Sequence, residues 1–554
     1  MKLSQVIQIL SVCIVPTIAD EPFPTAQIGR AKYIGLQNNT SGINSFYGIR
    51  YAKSPVGELR WRPPVATEDD FNQSTAVNTT RRGPSCIQST PSWGFQVEPP
   101  AQEDEDCLLL DVLTPISPVS ESLPVMVQIH GGGYTGGNST SSPGDSMVYH
   151  SNGSMIYVAI QYRLGPLGFL AGDELTRDGS WNVGLLDQRA ALNWIQKNIH
   201  QFGGDPSKIT ITGGSAGGGS VSLQMTLYGG SQRPPFRAAI PEYPWWTPMY
   251  NKEFLNKQYS RFSSAANCTS LSCLRKLPAS GIKAATQKSF QSAYNAHEFA
   301  YGNFYWGPSV DGNIVRGHPL EEFRSGRFTK VPVLVNHNGY EGILFSNTTM
   351  TTQDELLADL QTLWPSLPES KIADLLEFYP TSTYNGTVLD RLTVLAALSA
   401  STGQELELSD VFARRQAIFG DSLINCPTTY IATAATKAGT KAYKMIFDAG
   451  NQLHGATVPF LFSTTINPSG EIPFSTTVAP GNATLASYMR DYFVSFSLYL
   501  HPNGFAAGQQ APYFPRYDSQ DLDTLLISQK SIQLGADPEK AARCEQLDIT
   551  QGNV

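Results

Sequence analysis

The sequence predicts an α/β protein whose core is a large, mostly parallel, twisted sheet with helices on both faces. Apolar strand-like segments alternate with helical patterns through residues 124–340, as in parallel strands joined by crossover helices. Helical patterns are clearest over residues 187–200, 352–376 and 485–498. Sites in such sheets lie at the carboxyl ends of the strands. Residues that directly follow predicted strands are therefore the first candidates for function.

Composition excludes several classes of function. With 554 residues, 41% of them hydrophobic, the chain can bury a large core. The net charge of −8 indicates no basic surface for nucleic acid or anionic membranes. The chain shows no internal repeat and no low-complexity tract.

The N-terminus has the pattern of a secretory signal peptide over residues 1–19. A lysine precedes an apolar run from Leu3 to Pro16, and Thr17-Ile-Ala19 forms a cleavage site before Asp20. The apolar run is too short and too interrupted to span a membrane, and no later segment reaches the roughly 18 apolar residues required. We expect a secreted, extracellular protein without a stable membrane anchor.

Ser215 stands at the centre of Gly213-Gly-Ser-Ala-Gly217, the most informative segment of the chain. A strand-like run over residues 208–212 precedes it, and a helical pattern over residues 220–227 follows. A Gly-x-Ser-x-Gly sequence at a strand-to-helix turn is a nucleophile elbow, in which small flanking residues avoid a clash and the serine hydroxyl is exposed. Because this short pattern also arises by chance in a glycine-rich chain, the other motifs must decide whether Ser215 is a nucleophile.

A glycine-rich loop, His130-Gly-Gly-Gly-Tyr134, follows a predicted strand over residues 124–129. Successive glycines allow backbone amides to converge on one point, which a Cβ would obstruct. Such a loop supplies half of the oxyanion hole in esterases and lipases. A phosphate-binding loop is the alternative, but neither G-x-G-x-x-G nor the P-loop lysine pattern is present.

His454 and Glu341 are the candidates for the base and acid that a serine nucleophile requires. His454 follows a strand-like run over residues 442–447, and Glu341 follows an apolar strand that begins at Val331. Either residue alone would usually be a solvated loop residue. Together with Ser215 they stand in the chain order of the α/β-hydrolase fold, and the combination predicts a catalytic triad.

Four further segments resemble signatures of the type-B carboxylesterase/lipase family, which contains cholinesterases and fungal lipases. They are Phe46-Tyr-Gly-Ile-Arg-Tyr-Ala-Lys-Ser-Pro-Val-Gly-Glu-Leu-Arg-Trp61, Glu105-Asp-Cys-Leu-Leu-Leu-Asp-Val112, the blocks from Asn182 to Pro206, and Trp306-Gly-Pro-Ser-Val-Asp-Gly312. The resemblance covers roughly residues 25–545 and is closest to secreted fungal members. It implies the α/β-hydrolase fold and a single domain over residues 20–554.

The resemblance also implies residue roles in a carboxylic-ester hydrolase that requires no cofactor or metal. Ser215 would be the nucleophile, Glu341 the acid and His454 the base. The oxyanion would be held by the amides of Gly132, Gly133 and Ala216. The substrate would be a small-molecule or lipid ester, and the oligomeric state stays open.

Three departures from the family pattern surround this triad. Gly214 stands where the family usually has a glutamate, which argues against choline esters, and Thr457 stands where an acidic residue is common. The stretch 239–246 replaces a small Ser-Gly pair and contains Trp245 and Trp246. We expect both tryptophans to line the acyl side of the pocket, the alternative being two core aromatics.

Other aromatic residues, Trp306 among them, lie in segments 299–301 and 304–306. They are candidates for receiving an aromatic acyl group such as a hydroxycinnamate, with ordinary packing as the alternative.

Residues 87–106, enclosed by Cys86 and Cys107, are short for a lid and mix aromatic with acidic residues. This loop favours soluble esters. A triacylglycerol or sterol-ester lipase, a feruloyl-type esterase and a non-catalytic adhesion protein of the same fold remain alternatives.

Cysteines and glycosylation sequons fit an exported chain. Of 7 cysteines, Cys13 leaves with the signal peptide, and the spacing of the others leaves 15 pairings open but resembles no zinc site. The family resemblance implies the pairs Cys86–Cys107, Cys268–Cys273 and Cys426–Cys544. Candidate glycosylation sites are Asn38, Asn78, Asn152, Asn267, Asn347, Asn385 and Asn482. A further sequon at Asn138 lies so close to the oxyanion loop that its occupancy is doubtful.

Overall fold

The computed structural model describes residues 23–67, 75–93, 100, 102–386, 388–392, 407–462, 482–518, 523–539 and 543–547. The predicted signal peptide, residues 1–19, and residues 94–99 and 101 of the candidate lid lie outside these ranges. No helix in the described ranges is long and apolar enough to cross a membrane.

Sixteen strands are defined in the described chain. They are β1 (Thr25–Ile28), β2 (Ala31–Ile34), β3 (Leu36–Asn38), β4 (Ile43–Arg50), β5 (Thr75–Asn78), β6 (Ser85–Cys86), β7 (Glu103–Asp104), β8 (Leu109–Pro115), β9 (Leu123–Ile129), β10 (Ile156–Ile160), β11 (Gly204–Ser215), β12 (Ala238–Pro244), β13 (Val333–Asn338), β14 (Ala442–Asp448), β15 (Asp523–Ser528) and β16 (Ile532–Ala536).

An 11-stranded sheet forms the centre of the molecule, in the order β16-β15-β14-β13-β12-β11-β9-β10-β8-β4-β3. The strands from β15 to β10 in this order pair in parallel, whereas β16 and the β8-β4-β3 edge are antiparallel. Every residue of β10, β12 and β13 is buried, as expected for parallel strands covered on both faces. The large, mostly parallel sheet is therefore confirmed.

Helices cover both faces of this sheet, and a separate hydrophobic cluster lies under each layer. The α-helices are α1 (Asp145–His150), α2 (Gly165–Phe169), α3 (Asp173–Asp178), α4 (Val183–Asn198), α5 (Ala216–Thr226), α6 (Lys252–Ala265), α7 (Leu271–Arg275), α8 (Ala279–Asn295), α9 (Pro319–Arg324), α10 (Gln353–Leu363), α11 (Glu369–Glu377), α12 (Asp410–Gly420), α13 (Cys426–Lys437), α14 (Val458–Phe462), α15 (Ala483–Tyr499) and α16 (Arg543–Gln546). The larger cluster packs α4, α5 and α13 on one face, and the smaller packs α1 and α15 on the other.

The helical pattern predicted over residues 352–376 forms two helices, α10 and α11, with a break between them. Two prolines in the interval, Pro365 and Pro368, explain the break. A proline lacks the amide donor and disfavours the helical conformation of the residue before it. Trp364 accordingly ends α10 in a non-helical conformation, and Pro368 precedes α11 as its N-cap.

Three disulfide bonds pair Cys86 with Cys107, Cys268 with Cys273 and Cys426 with Cys544, the pairs that the family resemblance implies. Their Cα–Cα distances of 4.9, 5.5 and 5.3 Å lie within the usual range for a disulfide. The third closes the longest loop, with a sequence separation of 118. It joins the start of α13 to α16 near the C-terminus.

Candidate active site

Ser215 is the last residue of β11 and the N-cap of α5, at the carboxyl end of a central strand. Its φ of 61° and ψ of −128° are strained for a residue with a side chain. A Cβ at Gly213 would lie 2.5 Å from the carbonyl oxygen of Ile129, and one at Gly217 would lie 2.1 Å from the same oxygen. Both flanking glycines are therefore required by β9, which lies against the elbow.

The glycine loop after β9 lies beside this elbow. A Cβ at Gly131 would approach the carbonyl oxygen of Gly214 at 2.5 Å. Gly132 and Gly133 have φ values of 105° and 63°, in the region that favours glycine. Ala216 is the first residue of α5, where backbone amides have no partner within the helix. The loop and the helix start thus bring together the backbone segments predicted to form the oxyanion hole.

Gln88 holds the glycine loop in place, a role that the sequence did not indicate. Its side-chain amide donates to the carbonyl of Gly137 at 3.0 Å and accepts from the amide of Gly137 at 3.1 Å. The amide of Ser89 also donates to the carbonyl of Thr135 at 2.9 Å. Because Gln88 lies two residues after Cys86, the first disulfide tethers the segment that positions this loop.

Glu341 and His454 come together where the loops after β13 and β14 meet. Oε2 of Glu341 lies 2.5 Å from Nδ1 of His454. The other oxygen, Oε1, accepts hydrogen bonds from the backbone and side-chain amides of Asn338, at 2.6 and 2.8 Å. Glu341 is only 1% exposed, so the carboxylate is fixed in one orientation. Asn338, the last residue of β13, is a second contributor that sequence reasoning missed.

The opposite ring nitrogen of His454, Nε2, is buried and has no hydrogen-bond partner among the described residues. A buried polar atom without a partner is costly and points to a role. One aromatic ring connects this histidine to the elbow: Tyr243 lies edge-on to His454, with ring centroids 5.0 Å apart, and its hydroxyl abuts Gly214. Tyr243 therefore lies against both the elbow and the histidine.

The three tryptophans predicted to line the pocket occupy different places. Trp245 packs near the site, with its ring centroid 4.9 Å from that of Phe304, and Phe304 in turn contacts Gly133. Trp246 instead stacks on Phe323 at 5.8 Å, toward α9. Trp306 packs edge-on against Phe262 in the core, at 6.1 Å. The geometry favours Trp245 alone as a pocket residue.

A buried ionic cluster adjoins the end of β13, next to the loop that carries Glu341. Nζ of Lys444, on β14, lies 2.8 Å from Asp537 and 2.7 Å from Glu539, and the ammonium also donates to Thr429 at 2.7 Å. Nε2 of His337 lies 2.6 Å from Glu539. His337 is on β13 immediately before Asn338, so this cluster adjoins the residue that orients Glu341. Nothing local in the sequence marks these groups as partners.

Glu242 is an isolated buried carboxyl on β12, paired in register with Gly214 of the elbow strand. Burial raises its pKa to about 8, and the Thr212 and Asn336 side chains offset only part of that effect. Glu242 is therefore protonated, and neutral, in the folded protein at neutral pH.

We expect this group to make the protein less stable as the pH rises. The unfolded carboxyl loses its proton near pH 4.5, whereas the folded one keeps it up to about pH 8. Between these values the native state binds more protons, so the free energy of unfolding falls by up to about 1.4 kcal/mol per pH unit. Glu242→Gln should flatten this slope in urea-unfolding curves at pH 5, 6.5 and 8. The exposed Glu121→Gln is the matched control, and equal slopes in all three proteins would contradict the assignment.

A sequence-family comparison fits this geometry. The model of the carboxylesterase family matches residues 25–545. The chain belongs to the carboxylesterase family. It is a carboxylic-ester hydrolase of the carboxylesterase/lipase type with the α/β-hydrolase fold.

Relatives within this family bear both esterase and lipase names. The esterase is 28% identical to carboxylesterase patB of Aspergillus clavatus, over 94% of this chain and 95% of that protein. It is 32% identical to a secreted lipase of Arthroderma benhamiae, over 81% of this chain and 78% of that protein. Its structure resembles that of Aspergillus niger EstA with a TM-score of 0.80 and 26% identity, covering 95% of this chain and 98% of that one.

Proposed function

We propose that the esterase cleaves carboxylic esters through an acyl-enzyme on Ser215, with His454 as general base and Glu341 as the acid that orients it. One observation carries the proposal. Nδ1 of His454 is held by Glu341, whereas the buried Nε2 has no hydrogen-bond partner among the described residues. This nitrogen is free to accept the serine proton when substrate is present.

The chemistry follows from these positions. His454 removes the proton of Ser215 as the hydroxyl attacks the ester carbonyl, and the amides of Gly132, Gly133 and Ala216 stabilise the oxyanion. The buried carboxylate of Glu341 stabilises the imidazolium that forms. His454 then protonates the leaving alcohol, and water repeats the sequence on the acyl-enzyme. Apart from the ester and water, each step uses only this chain's side chains and backbone.

Short, soluble esters are the substrates we favour. On the acyl side, Trp245 packs against Phe304 at 4.9 Å and is stacked parallel to Phe345 at 6.5 Å. Phe345 also contacts His454, at 4.9 Å. We propose that these rings, which extend from the glycine loop to the histidine, limit the length of the acyl chain that the site accepts.

Secretion is part of the proposal. Residues 1–19 have the composition of a signal peptide, and disulfides are typical of exported proteins. The sequon asparagines also reach the surface: Asn38, Asn78, Asn152, Asn267 and Asn385 are exposed, and Asn138, Asn347 and Asn482 are half-buried. Glycans are compatible with the five exposed positions. At Asn482, by contrast, the side chain caps α15 through Leu485.

The test combines an ester panel with covalent labelling. Purified protein would be assayed on p-nitrophenyl esters from acetyl to palmitoyl, emulsified triacylglycerol and methyl ferulate. A fluorophosphonate probe would then be mapped by peptide mass spectrometry. We expect the highest kcat/KM on acetyl and butyryl esters and a single labelled residue, Ser215. Faster hydrolysis of emulsions or ferulate would overturn the substrate proposal, and inertness with no labelling would restore the non-catalytic alternative.

A further inference from the structure

The three departures from the family pattern meet at one side chain, Tyr243. A Cβ built on Gly214 would lie 2.1 Å from the Tyr243 hydroxyl oxygen and 2.3 Å from ring atom Cζ. Thr457 lies close enough for its buried hydroxyl to lower the pKa of the Tyr243 phenol. Tyr243 itself belongs to the 239–246 stretch that replaces the small pair. The phenol thus fills the space that the Cβ of a glutamate at position 214 would need.

The backbone is shaped to place this ring. Tyr243 has a φ of 28°, rare for a residue with a side chain. The register between β11 and β12 shifts at this point, since Gly214 pairs with Glu242 but Ser215 pairs with Pro244. The amide of Tyr243 donates to the side chain of Asn336 at 3.2 Å. Strain that persists beside a strained nucleophile is typical of functional sites.

The ring also touches the candidate base. Tyr243 is 6% exposed, and its ring lies edge-on to the His454 imidazole, at 81° between planes and 5.0 Å between centroids. Phe345 contacts the same imidazole, also edge-on, at 4.9 Å. The imidazole is therefore held by two aromatic rings and by the carboxylate of Glu341. Its orientation depends on side chains from β12 and from the segment that follows β13.

We propose that Tyr243 is a positioning residue for His454. Its uncharged phenol replaces the family's carboxylate, and the phenol fits there only because position 214 is a glycine. This inference rests on the proposed function of Ser215 and His454. It explains Gly214 and Thr457 together: glycine leaves room for the ring, and a hydroxyl rather than a carboxylate lies near it.

The Tyr243 phenol is consequently uncharged at neutral pH. Burial raises the pKa of the Tyr243 hydroxyl well above its usual value, and the nearby Glu242 and Glu341 raise it further. The Thr457 hydroxyl offsets only part of this. A neutral phenol beside Gly214 offers a cationic alcohol group less attraction than a carboxylate would, so uncharged esters are the substrates that it suits.

The test is a size-exchange experiment. Gly214→Ala should lower kcat about a hundredfold, because a shift of roughly 1 Å at a catalytic group has that effect. The double variant Gly214→Ala/Tyr243→Ser should return to the kcat of Tyr243→Ser, because the clash is gone. Gly214→Ala/Tyr243→Phe should not recover, since Cζ remains. Gly281→Ala in α8, where a Cβ meets nothing closer than 3.5 Å, is the matched control.

A second measurement distinguishes a positioning role of Tyr243 from a purely structural role. With active sites counted by fluorophosphonate burst titration, Tyr243→Ser should lower kcat about tenfold while KM for p-nitrophenyl acetate stays within about twofold. Tyr243→Phe, which keeps the ring, should retain most of kcat. Loss confined to the fraction of titratable sites, with normal kcat per site, would overturn the positioning role.

The two proposals fail in different ways. If Ser215 is labelled but Gly214→Ala is fully active, or Tyr243→Ser does not rescue it, only the Tyr243 inference is wrong. If the probe labels no residue, or labels a residue other than Ser215, the proposed function itself is wrong. Thermal unfolding of each variant shows whether it is folded, and a folded, inactive Gly214→Ala rescued by Tyr243→Ser supports the inference.

Discussion

Ser215→Ala should lower kcat for p-nitrophenyl acetate by about five to six orders of magnitude, the largest effect expected of any substitution in the esterase. Alanine removes the hydroxyl but keeps a small residue at the strained turn after β11. The oxyanion amides and the bound geometry stay in place. A residual acceleration of about a thousandfold over water should therefore persist.

The measurement is a steady-state assay at high enzyme concentration, combined with the fluorophosphonate probe. The variant should lose labelling completely and keep the unfolding transition of the wild type. Ser260→Ala, at an exposed position in α6, is the matched control and should have wild-type activity. If Ser215→Ala retained more than about a tenth of the activity, a different nucleophile would be acting.

The elements that place the three candidate catalytic residues were predictable because their signals are local. Three short motifs, each at the end of a strand, predicted Ser215, Glu341 and His454. The structure puts all three at the carboxyl ends of central parallel strands, β11, β13 and β14. A parallel sheet brings the carboxyl ends of its strands to one edge whatever the intervening sequence. The topology alone therefore places these three residues near one another.

What the sequence could not indicate depends on partners that are distant along the chain. Gln88 acts on a loop 49 residues away, and Lys444 pairs with Asp537 over 93 residues. No short sequence pattern around Gln88 or Lys444 indicates these contacts. Trp245 and Trp246 show a further limit, because both follow the end of β12, where no regular periodicity predicts which way a side chain points. Here Trp245 packs on Phe304, beside the glycine loop, and Trp246 packs on Phe323 of α9.

Lys444→Met should lower the free energy of unfolding by about 3–5 kcal/mol at pH 7, because it leaves the buried Asp537 carboxylate without its cationic partner. Lys444 and Asp537 are wholly buried side chains. Although burial alone raises the pKa of Glu539, the charges of His337 and Lys444 bring it below its ordinary value. The carboxylate therefore contributes stability that is present above pH 4.5 and is lost as the pH falls through its folded pKa.

Urea-unfolding curves at pH 7 and pH 4, followed by tryptophan fluorescence with the disulfides intact, would measure this. The loss of stability in Lys444→Met should shrink at pH 4, where more of the cluster's carboxylates are protonated. The double variant Lys444→Met/Asp537→Asn should recover part of the stability, since Glu539 keeps His337 as its partner. Lys371→Met, from an exposed ion pair with Asp374, should change stability by less than about 1 kcal/mol. A loss of stability that is independent of pH and unrelieved in the double variant would mean that Lys444 stabilises the fold by packing rather than by charge.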